Sequence, residues 1–270
     1  MSLARSPLIT VMTAAARKAA RSLLHDYREV EQLQVSVKGT NDFVSEADLR
    51  AERILGNELS RARPGYDLLM EESGAHGEGQ AEFRWVVDPL DGTSNFLHAL
   101  PYFCISIACE QRLPTGGYVP VAAVIYDPLH DDLFVAEKGK GAFHNDRRMQ
   151  VSRRQEIEQA LFVTAAPRLG RAGSDEALKL YGAVSQRSMG VRTMGATALD
   201  LAYVAAGRFD GCWYRFFHRW DIAAGMLLVQ EAGGIVTQMG GDTDLREPQT
   251  LVAANPVIHK KLGVVLDKVR

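Results

Sequence analysis

The chain has 270 residues, 46% of them hydrophobic and 24% charged, and a formal net charge of −2. That composition excludes a disordered chain, and at about 150 residues per domain the length gives one large domain or two intimate ones, with enough chain for a substantial core. Without a surplus of cations there is no global basic field to hold nucleic acid or an anionic membrane.

Two helical patterns open the chain, at about 6–27 and 44–62. In the first, Ser6 stands as a cap and Pro7 in the first turn, and Leu8, Val11, Met12, Ala15, Ala19 and Leu23 make one apolar face. This basic N-terminal stretch lacks the apolar block and cleavage site of a signal peptide, and no apolar run reaches the ~18 residues of a membrane helix. Strand-like runs follow at 67–70, 85–87, 104–110, 119–126 and 132–137. Turn signals such as Gly139-Lys-Gly141 between them predict antiparallel pairing. Cys104 and Cys109 fall on opposite faces of their strand as core residues, and Cys212 reads as a small buried hydrophobe. Three cysteines without CxxC spacing exclude a disulfide framework or a cysteine zinc site and fit a reducing, cytoplasmic setting. From residue 160 strands and helices alternate: strands near 160–164, 190–193, 209–214, 234–238 and 250–253, helices near 174–188, 197–206, 219–232 and at the C-terminus. The pattern predicts a layered α/β architecture with parts 1–150 and 151–270 meeting at the polar run Ser152-Arg-Arg-Gln-Glu156 as one intimate unit.

Four acidic segments carry candidate chemistry. Trp85-Val-Val-Asp-Pro-Leu-Asp-Gly-Thr-Ser-Asn-Phe96 ends a strand in Asp88 and Asp91 and starts a helical turn at Thr93. Exposed N–H groups at a helix start bind phosphate, and carboxylates beside them make sense only with a hard cation between, so Mg²⁺ is implied. The same residues are also ordinary turn chemistry. Glu71 and Glu72 end the strand at 67–70; neighbours on a strand face opposite ways, so only one can join a given site, and both also suit a solvated loop. Asp221 opens an Ala- and Leu-rich helix, where an acid is good electrostatics in any case, and Trp220 beside it reads as a packing anchor. In Lys38-Gly-Thr-Asn-Asp-Phe-Val-Ser-Glu-Ala-Asp48, Ser45 with Asp48 looks like a capping box, and the role of Asp48 stays open.

Taken together, in this order and spacing, the four segments resemble the inositol monophosphatase family. Gly195-Ala-Thr-Ala-Leu-Asp-Leu-Ala-Tyr-Val-Ala-Ala-Gly207 resembles its bacterial inositol-1-monophosphatase, SuhB-type branch, and the likeness runs over residues 8–265. The resemblance implies an αβαβα sandwich, a cytoplasmic homodimer, and Mg²⁺-dependent hydrolysis of a small phosphate monoester, inhibited by Li⁺. It implies metal ligation by Glu71, Asp88, the carbonyl of Leu90, Asp91 and Asp221. Asp48 and Thr93, with Glu71, carry the catalytic roles around the attacking water. Leu90, Asp91, Gly92, Thr93, Arg192, Gly195, Ala196, Tyr214 and Asp221 form the substrate site. Direct attack by water is expected, since no Ser or Cys nucleophile is among the matched motifs. A protein partner in transcription is implied by resemblance alone, and dedicated nucleic-acid binding is not.

The approach to Asp221 departs from the family. Seven residues before it, a Glu that binds an inositol hydroxyl is replaced by Tyr214, and Arg215, Phe216, Phe217, His218 and Arg219 follow. Loss of an acceptor carboxylate and gain of cations would alter recognition of the alcohol. The pocket then takes inositol 1-phosphate by other contacts, or prefers another monoester (histidinol phosphate, a sugar phosphate or a 3′-phosphonucleotide). In a third reading the change is packing only, with Tyr214 and Phe216 on one strand face. His218 and His98 read as surface polar residues. A regulatory binding protein on the same scaffold is the non-enzyme alternative; a retired catalyst would have lost one of Glu71, Asp88, Asp91 or Asp221, and all four are present.

Overall fold

The structure, a computed structural model, describes residues 6–29, 35–39, 42–167, 170 and 172–269, with the backbone alone for 35–39 and 42–45. Helix α1 (Pro7–Arg28) starts as its sequence predicts, with the Ser6 hydroxyl accepting the Ile9 amide at 3.3 Å. Its buried stripe runs through Ile9, Met12, Ala16, Ala19 and Leu23, while Leu8 and Val11 sit at the margin of the stripe rather than at its centre. A hairpin of β1 (Val35–Gly39) and β2 (Asp42–Ser45) leads into α2 (Glu46–Ala62). The expected cap from Ser45 lies outside the described side chains. Arg50 of α2 donates to Asp26 of α1 at 2.9 Å and ties the two helices together.

An eight-stranded sheet follows, formed by β3 (Asp67–Met70), β4 (Gly74–His76), β5 (Phe83–Asp91), β6 (Cys104–Arg112), β7 (Tyr118–Asp127), β8 (Asp132–Glu137), β9 (Gly141–His144) and β10 (Arg147–Arg148). Its order is β10-β9-β8-β7-β6-β5-β3-β4. Pairing is antiparallel except between β3 and β5, which run parallel, contrary to the all-antiparallel expectation. The reason is topological: β4 turns back on the outer side of β3, so the chain re-enters on the inner side in the direction of β3. After α3 (Thr93–Leu97) within the sheet region, the second half builds a five-stranded sheet of order β12-β11-β13-β15-β14 from β11 (Leu161–Thr164), β12 (Gly190–Arg192), β13 (Gly211–Tyr214), β14 (Ile235–Thr237) and β15 (Leu251–Ala254). Its helices are α4 (Ser174–Ser185), α5 (Thr197–Ala205), α6 (Arg219–Glu231) and α7 (Pro256–Asp267).

Period-two alternation sorts the strand side chains into three cores. Trp85, Val87, Ile105, Ile107 and Cys109 pack against α1 and α2. Val86, Cys104, Ala108 and Ile125 face the other way and share a core with α5, α6 and one face of the second sheet, including Val163, Cys212 and Ala253. Phe162, Trp213, Val252 and Ala254 meet α4 and α7. The layers are therefore α1/α2, first sheet, α5/α6, second sheet and α4/α7, the αβαβα sandwich expected. Cys104 and Cys109 do lie on opposite faces. Gly225 lets α6 close on α5: a Cβ there would stand 2.4 Å from the Leu201 Cβ. No helix among the described residues is long and apolar enough to cross a membrane.

Candidate active site

The acid site is built by the end of β5. Two residues three apart on a regular strand point to opposite faces. Here Asp88 pairs with Ser106 and Asp91 with Cys104, two residues apart on β6, so β5 carries one extra residue at Pro89-Leu90. This bulge returns both aspartates to one face, the face turned toward α5 and α6. Pro89 suits it because a bulged position needs no ladder donor. The parallel register of β3 on β5 pairs Met70 with Val87, so the next residue, Glu71, lies beside Asp88 on that same face; its amide donates to the Val87 carbonyl at 3.2 Å. Glu72 is not among the groups that raise Asp88, and its amide is held by the buried Glu52 of α2 at 2.7 Å. The either-or posed by the two glutamates resolves in favour of Glu71.

The remaining groups arrive from helix starts. Gly92 turns the chain with φ +97°, and a Cβ there would meet the Tyr102 carbonyl at 3.0 Å, so only glycine fits. Thr93 then opens α3, its hydroxyl within 3.0 Å of Asp48 on α2 and 3.1 Å of the Leu90 carbonyl. Asp48 is fully buried. Asp91 accepts the amides of Thr197 (3.1 Å), Ala198 (2.7 Å) and Leu199 (3.4 Å), and so caps α5 from the first sheet. Asp221 sits in the first turn of α6 and accepts the His218 amide at 2.7 Å. Asn95 donates to the carbonyls of Tyr102 and Met194, fixing the turn at Gly195 and Ala196 next to α3. A Cβ on Gly92 would lie 3.2 Å from that of Ala196.

Electrostatics marks the centre. Burial pushes the Asp88 carboxyl well above the usual range, and the charges of Glu71, Asp91 and Asp221 push it further. Asp91 is raised too, by burial and then by Asp221, against the Ala198 and Leu199 amides that favour its charge. Four acids thus converge with no cation of the chain among the causes of either shift. Among the described residues, no three His, Cys, Asp or Glu side chains already close around a common ion position.

Arg192 and Tyr214 take hydrogen-bond partners outside the acid cluster. Arg192 stands exposed at the end of β12, its guanidinium donating to the neighbouring Val191 carbonyl. Tyr214 is buried to 1% exposure in the middle core, and its hydroxyl donates to Asp200 at 2.7 Å. Phe216 does not share its face, because β13 ends at Tyr214 and Phe216 is exposed. The cations near Asp221 are engaged elsewhere: Arg215 pairs with Glu176 of α4, and Arg219 with the buried Glu110 of β6. His98 and His218 are exposed, as expected, and the His218 ring stacks on Trp220 at 4.8 Å. Sequence reasoning missed Asp200, Asn95 and Glu52. The signal for Asp200 was present, a lone acid inside the apolar run of α5.

Hard oxygen donors gathered beside helix starts are the equipment of metal-assisted phosphate chemistry. The profile of the inositol monophosphatase family matches residues 4–269, and the chain belongs to that family. It is an enzyme of this family, whose function at family level is Mg²⁺-dependent phosphomonoester hydrolysis. The chain is 50% identical over 260 residues, 96% of each chain, to a protein of Mesorhizobium japonicum named inositol-1-monophosphatase. It is 41% identical over 261 residues, 96% of this chain and 98% of the other, to a putative Nus factor SuhB of Neisseria meningitidis serogroup B. Among solved structures, the extragenic suppressor protein suhB of Bartonella henselae superposes with a TM-score of 0.92 at 48% identity, covering 97% of this chain and 99% of that one.

Proposed function

We propose that the chain hydrolyses inositol 1-phosphate to inositol and inorganic phosphate by direct attack of water, with no covalent phosphoenzyme. The observation that carries this reading is the convergence of Glu71, Asp88, Asp91 and Asp221, where burial and then the neighbouring charges raise Asp88. The name of the 50% identical relative supports the choice of substrate. Glu71, Asp88, the Leu90 carbonyl, Asp91 and Asp221 would hold Mg²⁺. The donor set fits a hard cation: it is all oxygen, and its crowded buried acids need positive charge. When bound, the cation neutralises phosphate charge and acidifies water.

The chain's own groups supply the rest. Thr93 donates its hydroxyl proton to Asp48, which leaves its oxygen lone pairs to accept from the attacking water and aim it. The buried Asp48 carboxylate then takes the proton relayed through Thr93. The amides of Gly92 and Thr93, at the start of α3, hold phosphate oxygens in a fixed orientation, so most of the rate gain comes from positioning and charge. Gly195, Ala196 and Arg192 would border the alcohol.

One observation favours a second reading. Tyr214, at the position of the family's hydroxyl-binding Glu, donates its proton inward to Asp200, so no carboxylate is presented there. The same chemistry on another small monoester (histidinol phosphate, a sugar phosphate or a 3′-phosphonucleotide) follows from it. Phosphate release with Mg²⁺ across those esters and inositol 1-phosphate tests both, with Asp88→Asn expected to lose about 100-fold or more. Inositol 1-phosphate leading supports the first reading, and another ester leading supports the second. A phosphorylated enzyme trapped by mass spectrometry would overturn direct attack. A homodimer and a protein partner in transcription belong to the same reading; light scattering and a pull-down repeated with Asp88→Asn test them.

A further inference from the structure

Arg219 has the wrong surroundings for a substrate residue. Two residues before Asp221, its side chain is 11% exposed and turned away from the acids onto Glu110 of β6, which is fully buried. Its Nε donates to Glu110 Oε1 at 2.7 Å, and Nη2 reaches the same oxygen. Nη1 donates to the Leu245 carbonyl at 2.7 Å, and Nη2 approaches the Tyr118 carbonyl of β7 at 3.4 Å. Arg84 of β5 occupies the other carboxylate oxygen, Oε2, from Nε at 2.8 Å and stacks over Tyr118 at 4.1 Å. The next residue is held as well: Ser106, the β6 partner of Asp88, lies 3.3 Å from the Trp220 carbonyl and donates to it.

We propose that Arg219 is a positioning residue, which locks the first turn of α6 to β6 through Glu110 and to the 240–249 loop through Leu245, and so sets where the Asp221 carboxylate stands relative to Asp88. The inference rests on the reading of Asp221 as a cation ligand. The physical case is one of stiffness. A planar guanidinium held by an ion pair and two carbonyls fixes both the position and the rotation of the residue that bears it, and a buried Glu110 cannot release it without losing a partner in a dry site. A carboxylate two residues along the same helical turn inherits that fixity. The sheet that carries Asp88 thereby also places Asp221, although the latter belongs to the other half of the chain.

The test is direct cation binding. Mn²⁺, which also takes oxygen donors, is titrated into the metal-free protein, and the free ion is counted by electron paramagnetic resonance. Asp221→Asn is expected to weaken binding, and Arg219→Met to weaken it about 10-fold, with Arg219→Lys recovering part of the loss. Arg84→Met removes a partner of Glu110 without touching α6; it lowers the melting temperature and leaves Mn²⁺ affinity within about twofold of the native value. The double variant Glu110→Gln/Arg219→Met removes the stranded buried charge, so it regains stability but not affinity. Arg219→Met binding Mn²⁺ as the native protein does, while Asp221→Asn does not, overturns the positioning role and leaves the ligand reading intact. So does an equal loss of affinity in Arg84→Met, since general destabilisation then explains both. Unchanged binding by Asp221→Asn overturns the ligand reading and the inference with it.

Discussion

A carboxylate between two tyrosines shows how much a single position weighs. Asp200 accepts from Tyr102 and Tyr214, each at 2.7 Å, and burial nevertheless pushes its carboxyl up to about 7, against those two hydrogen bonds. Between the unfolded value near 4 and about 7, the native state keeps a proton that the unfolded chain has lost. Stability therefore falls as pH rises through that window, by up to about 1.4 kcal/mol per unit, and levels off above it. Asp200→Asn removes this slope. Denaturant unfolding of both proteins from pH 4 to 8 should show the native protein losing ground to the variant up to about pH 7, and parallel curves would refute the assignment. Asp88, Asp91 and Thr93 were legible because they stand in one short segment, and Asp221 because its segment completes the family resemblance. The Tyr214–Asp200–Tyr102 group was not, because its members are brought together only by the packing of α5 between two sheets.

At the scale of elements, the decisive feature is register. The Asp-Pro-x-Asp spacing would have split the two acids between faces had β5 stayed regular; the bulge that reunites them is a property of its pairing with β6, which one strand's sequence cannot display. The parallel β3–β5 pair likewise selects Glu71 over Glu72, where alternation alone could say only that one of them was used. Longer elements were read well, since amphipathic periodicity and caps lie within the segment, as Ser6 and Pro7 show for α1. The short β1–β2 hairpin, β4 and the β9–β10 edge were missed because a few residues carry too little pattern. Helix packing offers its own test. Gly225→Ala would force α6 from α5 at Leu201 and cost about 1–3 kcal/mol. Gly182→Ala on α4, where the added Cβ meets nothing within 4 Å, should raise the melting temperature. Calorimetry that found both changes harmless would remove the close α5–α6 contact as a constraint.

For the molecule as a whole, the central core is shared: Val86 and Cys104 of the first sheet and Cys212 and Leu251 of the second pack on the same α5/α6 layer. Stability and the acid site are coupled across it. Asp88 and Asp91 have raised proton affinities, so the metal-free native state holds protons that the unfolded chain releases, and its stability falls as pH rises from about 4. A cation needs the deprotonated acids and competes with those protons. Excess Mg²⁺ should accordingly raise the melting temperature more at pH 8 than at pH 5. Equal shifts at both values would show that the cation binds elsewhere.

Asp91 gives that coupling an evolutionary edge. Its oxygens receive three amides at the start of α5, so it is a rivet between the first sheet and α5 as well as a member of the acid site. Replacing it would strand those buried donors whatever became of catalysis. A descendant that abandoned hydrolysis for another task would still be selected to keep Asp91, and its persistence alone is no record of retained activity. Glu71, whose side chain meets Asp88 within the acid site itself, is the better marker for separating working members of such a lineage from retired ones.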